Sequence, residues 1–358
     1  MLNNIIERVL GTKQTTQINH DGYYYSCLSF QQKSIYNAIF QCLNTCSREV
    51  QITSLSVNEI SDIYNSVLKD YPILFYTSAF KISSNIMSST ATFRPDYKYD
   101  HNTVQRYKDQ ILQYLKRFDL LKNISDLDKE MYVHNYCLDN FMYDNSFCDF
   151  SYSILGPILN KKAVCEGFAR FTKLVLDYLS VKNLIVSGKA YNPAQNSSLE
   201  AHAWNIVMID GKTFHLDTTW DICISDSDSS LRGVLRNEGT KSNTLYRYDY
   251  FNLSDEDILK DHVITQKVPI CNTKGQDYYT KNGMMANNPA ELEKKIEKVL
   301  KQGKKNITIK ILNVSKPEKI IDKINQIALE QYIKTIKKSV QIEIRYNLHQ
   351  MIFEIVFK

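Results

Sequence analysis

Apolar residues follow different spacings along this chain, and the spacing divides it into elements. Between residues 29 and 70 they recur every three or four positions, with Ile35, Ile39, Cys42 and Cys46 as one stripe and Ile60, Ile63, Val67 and Leu68 as a second. Each stripe follows a capping box, Ser29-Phe30-Gln31-Gln32 and Ser56-Val57-Asn58-Glu59, so two helices are predicted, the second ending before Tyr71-Pro72. Gly22-Tyr23-Tyr24-Tyr25 opens the first ordered element ahead of them. Phe80 to Arg94 reads as two short strands around Ser83-Ser84-Asn85, and His101 to Leu121 as a long helix. Ser125 to Asn140 reads as another helix, closed by Phe141-Met142-Tyr143-Asp144.

The pattern then changes. Phe168, Phe171, Val175 and Leu179 share one face of a helix that starts at Cys165, and Ala201 to Ile209 reads as a strand. Asp210-Gly211 is a hairpin turn signal, which makes Lys212 to Asp217 the return strand. A two-residue turn sets Trp204 opposite Asp217 and His202 opposite Thr219, so His202 and Asp217 are diagonal neighbours on one face, with Cα atoms roughly 7–8 Å apart. Ile224 to Thr244, rich in Ser, Asp, Asn and Gly, reads as a long surface loop whose position past Asp217 also suits a flap. Tyr246 to Phe251 and Ser254 to Leu259 close this region. Beyond residue 286 the order is helix, strand, helix, strand, strand. The first strand is Lys305 to Leu312, followed by a capping box in Ser315-Lys316-Pro317-Glu318, and Val340 to Tyr346 and Met351 to Phe357 form a hairpin.

These elements give an α+β chain in four parts: a polar leader over 1–22, a mostly helical N-terminal domain over 23–122, a core over 123–270 and a small α/β module over 286–358. With 358 residues, 43% of them hydrophobic, the chain can bury cores for two or three domains, which argues against disorder. The tyrosines of the N-terminal part read as packing. Charge is uneven: residues 286–358 hold 15 Lys+Arg against 8 Asp+Glu, or +7, leaving 29 against 31, or −2, elsewhere. Because Lys and Glu interleave there as on a solvated helix face, nucleic acid is not an expected partner. The module is expected to dock an unknown partner, since the chemistry upstream does not need it.

No stretch reaches the roughly 18 apolar residues of a membrane span, and Met1 to Leu10 lacks a signal h-region, so a cytoplasmic protein is expected. The eight cysteines, at 27, 42, 46, 137, 148, 165, 223 and 271, show neither metal spacing nor a disulfide framework. There is no His-Glu-x-x-His and no phosphate-cradling glycine loop, so neither metal nor cofactor is implied.

The candidate chemistry lies between Ala163 and Trp220. Cys165 falls at a helix N-terminus, where exposed N–H groups and the helix dipole favour a thiolate, and Gly167 keeps the first turn slim. The hairpin supplies His202 as a base and Asp217 as the carboxylate orienting it, an order that suits acyl transfer. His215 shares that face but lies nearer the turn, opposite Ile206, and reads as a supporting residue.

Three ordered motifs, Val164-Cys165-Glu166-Gly167-Phe168-Ala169, Ala201-His202-Ala203-Trp204-Asn205 and His215-Leu216-Asp217-Thr218-Thr219-Trp220-Asp221, resemble the transglutaminase-like superfamily of cysteine enzymes. A looser similarity to bacterial members runs from Tyr132 to Asp144 and from Tyr250-Phe251-Asn252-Leu253-Ser254 to His262, whose role in the family pattern is unassigned. The resemblance implies a transglutaminase-like, papain-like core with Cys165 as nucleophile, His202 as general base and acid, and Asp217 as its orienter. It also implies an oxyanion donor, for which Tyr143, the Cys165 backbone N–H, Trp204, His215 and Trp220 are supporting candidates. A thioester acyl-enzyme formed on a peptide or protein substrate follows, with water as the expected acceptor because no calcium-loop pattern is present. Transfer to an amine, or a catalytically silent fold that binds peptides or envelope polymers, are the alternatives.

Overall fold

The computed structural model describes residues 22–84, 88–191, 198–226, 248–313 and 319–358. The predicted leader, except Gly22, and the capping box at Ser315 to Glu318 lie outside the described residues.

The N-terminal part runs α1 (Tyr23–Ser26), α2 (Phe30–Asn44), β1 (Val50–Thr53), α3 (Val57–Asp70), β2 (Thr77–Ser84), β3 (Thr90–Tyr97) and α4 (His101–Leu115). Both capping boxes close, Ser29 with Gln32 and Ser56 with Glu59. The strands form a sheet in the order β1-β3-β2, so this part is less helical than its pattern suggests. Val50–Thr53 is too short to show alternation; its register comes from pairing Val50 with Phe93 across the chain. The long helix predicted to Leu121 stops at Leu115 and tightens into 3-10 turns over Lys116–Asn123.

The middle part adds α5 (Asp126–Asn140), β4 (Met142–Tyr143), β5 (Lys162–Ala163), α6 (Cys165–Tyr178), β6 (Asn183–Tyr191), β7 (Leu199–Ile209), β8 (Lys212–Leu216), α7 (Thr218–Asp226), β9 (Phe251–Leu253), α8 (Asp255–Ile258) and β10 (His262–Ile264). A five-stranded antiparallel sheet, β10-β6-β7-β8-β9, carries α6 across it. Phe168, Phe171, Val175 and Leu179 are all buried, and α6 joins the N-terminal helices to the sheet in one continuous core. Asn205 on β7 fixes the helix to the sheet by donating to the Ala169 carbonyl at 3.0 Å. Residues 224–226 continue α7 instead of opening the predicted loop, and the rest of that loop up to Thr244 lies outside the described residues.

After α9 (Tyr278–Lys281), the C-terminal part comprises β11 (Met285–Ala286), α10 (Pro289–Lys301), β12 (Asn306–Ile311), α11 (Ile320–Ile336), β13 (Ile342–Asn347) and β14 (Ile352–Phe357). Its sheet runs β11-β12-β14-β13, and α10 and α11 share a separate apolar core with it. The sheet is also tied to the middle part. Ile352 joins the main core, and Lys310, buried on β12, reaches Asp277 at 3.3 Å. The described residues include no helix long and apolar enough to cross a membrane.

Candidate active site

Cys165 owes its position to a short parallel ladder. Met142 pairs with Lys162 and Tyr143 with Ala163, which sets Val164 as the extended N-cap and Cys165 as the first residue of α6. The Ser151 carbonyl passes so close to Gly167 that any Cβ there would collide with it, a close approach only glycine permits. The half-buried thiol thus sits where the unpaired N–H groups of the first turn converge.

The β7–β8 hairpin turns through Asp210 and Gly211, both with positive φ (50° and 74°), and its register pairs Ile206 with His215 and Asn205 with Leu216. That register leaves His202 beyond the end of β8, facing the residue after the strand. His202 Nε2 lies 2.6 Å from Asp217 Oδ2, and the Cys165 side chain is near enough to act electrostatically on the same imidazole. Burial pushes the His202 pKa down, but the Asp217 carboxylate, acting as charge and acceptor, and then Cys165 outweigh it and raise the value to about 10. The ring also stacks on two indoles, Trp220 at 4.9 Å and Trp204 at 5.9 Å, both at 20°, an arrangement that favours a cation.

Asp217 does not end a strand as its sequence suggests. Its backbone N–H donates to the Tyr250 carbonyl, and its Oδ1 accepts the Trp220 backbone N–H at 3.1 Å, so the residue caps α7. Its Oδ2 meets two histidines, His202 and, at 3.0 Å, His262. Asp217 is fully buried, which opposes the carboxylate, yet its imidazole partners hold its pKa well below the usual range. His262 was legible as part of a motif but not as a neighbour of Asp217, because it reaches that position only through pairing of β10 with the far edge of β6.

His215 belongs to a different network. Trp204 Nε1 donates to His215 Nδ1 at 3.0 Å, His215 Nε2 meets Asp255 at 2.8 Å, and the second Asp255 oxygen accepts the Cys271 N–H at 2.8 Å. An indole N–H can only donate, so Nδ1 is the bare nitrogen and Nε2 carries the proton. Burial dominates here and lowers the His215 pKa despite Asp255. Trp204 and His215 are therefore not oxyanion donors: their N–H groups are already engaged, and they act as a fixed wall behind His202.

Burial first, then the electrostatic influence of Cys165, Cys223, Tyr152 and Glu200, keep the Tyr143 phenol protonated well above its usual range and able to donate. Trp220 keeps a buried indole N–H with no partner among the described residues. Two groups bring metal-ligand atoms together, His202-Asp217-His262 and His215-Asp255-Cys271. In the second, the tautomer fixed by Trp204 leaves no lone pair at His215 Nε2 for an ion. In the first, both Nε2 atoms already face Asp217. A cavity of about 280 Å³ between Tyr23, Asp70, Lys173 and Met208 is lined by none of the candidate residues.

No family model and no curated protein matches the chain. Among solved structures, a proposed cysteine protease from Cytophaga hutchinsonii is similar at 17% identity over 39% of this chain and 61% of that one, with a TM-score of 0.26. A chain described as a TGase is similar at 16% identity over 55% of this chain and 53% of that one, with a TM-score of 0.25. The chain thus spans less than two thirds of either structure. Neither likeness adds to what the residues themselves support about fold or chemistry.

Proposed function

We propose that this chain is a cysteine-nucleophile enzyme that hydrolyses amide bonds of peptides or proteins. One observation carries the reading: a single buried imidazole, His202, meets the Asp217 carboxylate at 2.6 Å within electrostatic reach of a thiol at the N-terminus of a helix. In this reading the Cys165 sulfur, as thiolate, adds to the amide carbonyl. The developing oxyanion accepts hydrogen bonds from the Cys165 backbone N–H and the Tyr143 hydroxyl. His202, cationic at neutral pH, then passes its proton to the departing amine and a thioester forms. Neutral His202 next takes a proton from water as the water adds to the thioester, and returns it to the sulfur as the acid leaves. Asp217 keeps the ring oriented and stabilises its cation at each stage.

The test is mass spectrometry of a peptide library incubated with wild type and with Cys165→Ala, with and without a primary amine. New peptide termini from wild type alone are expected. Amine adducts on glutamine in place of cleavage would convert the reading to transglutaminase, and no change in either arm would favour a peptide-binding fold.

A further inference from the structure

His262 takes no part in that sequence of steps, yet its surroundings are built more completely than those of an ordinary core histidine. The ring is buried at the start of β10. Its Nε2 lies 3.0 Å from Asp217 Oδ2 and its Nδ1 lies 2.6 Å from Asp261 Oδ1. Each ring nitrogen thus faces a carboxylate oxygen. Around it stand His202 at 5.4 Å, Trp204 at 5.0 Å, Trp220 at 6.4 Å and Tyr250 at 5.6 Å between ring centroids, with the His215 ring also within electrostatic reach.

Asp261 is held in turn. Its Oδ2 accepts the Tyr250 hydroxyl at 2.6 Å and the Gln350 side-chain amide at 3.4 Å. Gln350 is fully buried in the turn between β13 and β14, where its amide also donates to the Asp257 carbonyl at 3.1 Å. Asn347 from the same hairpin donates to the Tyr250 hydroxyl at 3.3 Å and accepts the Gln350 backbone N–H at 3.2 Å. An unbroken path of polar contacts therefore runs from the C-terminal hairpin through Asp261, His262 and Asp217 to His202.

We propose that His262 is a positioning residue for the reaction, locked by Asp261 and the C-terminal hairpin, so that the C-terminal sheet is a working part of the active site. This rests on the acyl-transfer reading above. The reason is geometric. The Trp220 backbone N–H holds Asp217 through Oδ1, and His262 is the second contact that fixes Oδ2, the oxygen facing His202; a misplacement of about 1 Å at a catalytic group costs about 10²-fold. The sheet that seemed free to serve a separate partner instead spends two buried amides on this path.

The experiment follows the rate at which iodoacetamide alkylates Cys165 between pH 5 and 9, located by peptide mass spectrometry on the full chain. Wild type, His262→Leu, His262→Gln and Gln350→Met are compared, each with a thermal melt. Wild-type Cys165 is expected to react on the acid side of neutrality well ahead of exposed Cys27 and Cys148. His262→Leu is expected to lose about 10²-fold of that reactivity at pH 6. His262→Gln, whose amide still donates to Asp217, is expected to recover most of it, and Gln350→Met to fall between.

A folded His262→Leu with the wild-type profile overturns the proposal. If that variant does not fold, a wild-type profile in Gln350→Met overturns the part assigned to the C-terminal sheet. If wild-type Cys165 itself reacts no faster than Cys27 at pH 6, the acyl-transfer reading fails and takes this inference with it. That outcome differs from the others because the variants would then match a wild type that was never reactive.

Discussion

His202 and His215 lie on adjacent strands of one sheet, each buried, each with Nε2 against an aspartate, and they are held in opposite charge states. His202 is pushed up to about 10 and His215 is pushed down. The carboxylates alone do not explain the difference, since the distances, 2.6 and 2.8 Å, are alike. Two features do. Asp217 is wholly buried and feels water little, whereas Asp255 is partly exposed and its charge is screened. His202 is further raised by the nearby Cys165 side chain, whereas the second nitrogen of His215 faces an indole N–H that forbids a proton there. A histidine's role is thus set as much by what meets its other nitrogen as by its acid.

The comparison breaks most visibly at the carboxylates. Asp217→Asn should lower turnover by about four orders of magnitude, the effect seen when a triad acid becomes an amide. Asp255→Asn should leave turnover within the same order, and peptide cleavage by the two variants checks both. Equal losses would mean that the two networks act as one.

Stability against pH gives the next largest effect. The pKa of His202 is raised in the fold, so its contribution is complete below its unfolded value near 6.5 and lost as pH climbs through about 10. Wild type should lose on the order of a few kcal/mol between neutrality and pH 10, and His202→Gln should show much less of that slope in denaturant titrations.

The smallest effect sharpens the other side. Trp204→Phe removes the donor from His215 Nδ1 and leaves a buried acceptor bare, which should cost about 1–3 kcal/mol. The imidazole should also titrate at higher pH, since Nδ1 can then take a proton, and nitrogen-15 NMR of the His215 ring measures it.

Much of the site was legible because its parts are local. Asp210-Gly211 fixed a two-residue turn, and from that turn the pairing of Ile206 with His215 followed by counting, although the ladder stops at Asn205 and Leu216 and Thr219, expected opposite His202, lies in α7. The helix beginning at Cys165 followed from its apolar face. Other elements were not local. Val50–Thr53 is too short to show alternation and forms only against β3. Asp217 reads as the last residue of a strand, yet it caps α7 because Tyr250, from a distant segment, takes its backbone N–H. The tryptophans, read as possible oxyanion donors, differ only in where their N–H groups point. Trp204 meets His215, and Trp220 meets no partner among the described residues.

The amino-acid order by itself determined the chemistry on offer: a cysteine at a helix start and a histidine and aspartate one hairpin apart, each set by interactions within a few residues. Tertiary structure alone decided how those groups are held. His262 reaches Asp217 only because β10 pairs with the outer edge of β6, and Gln350 reaches Asp261 only because the C-terminal sheet docks there. Strand order and docking depend on burying shared apolar surface between segments far apart in sequence, and no local periodicity records which partner a strand will choose.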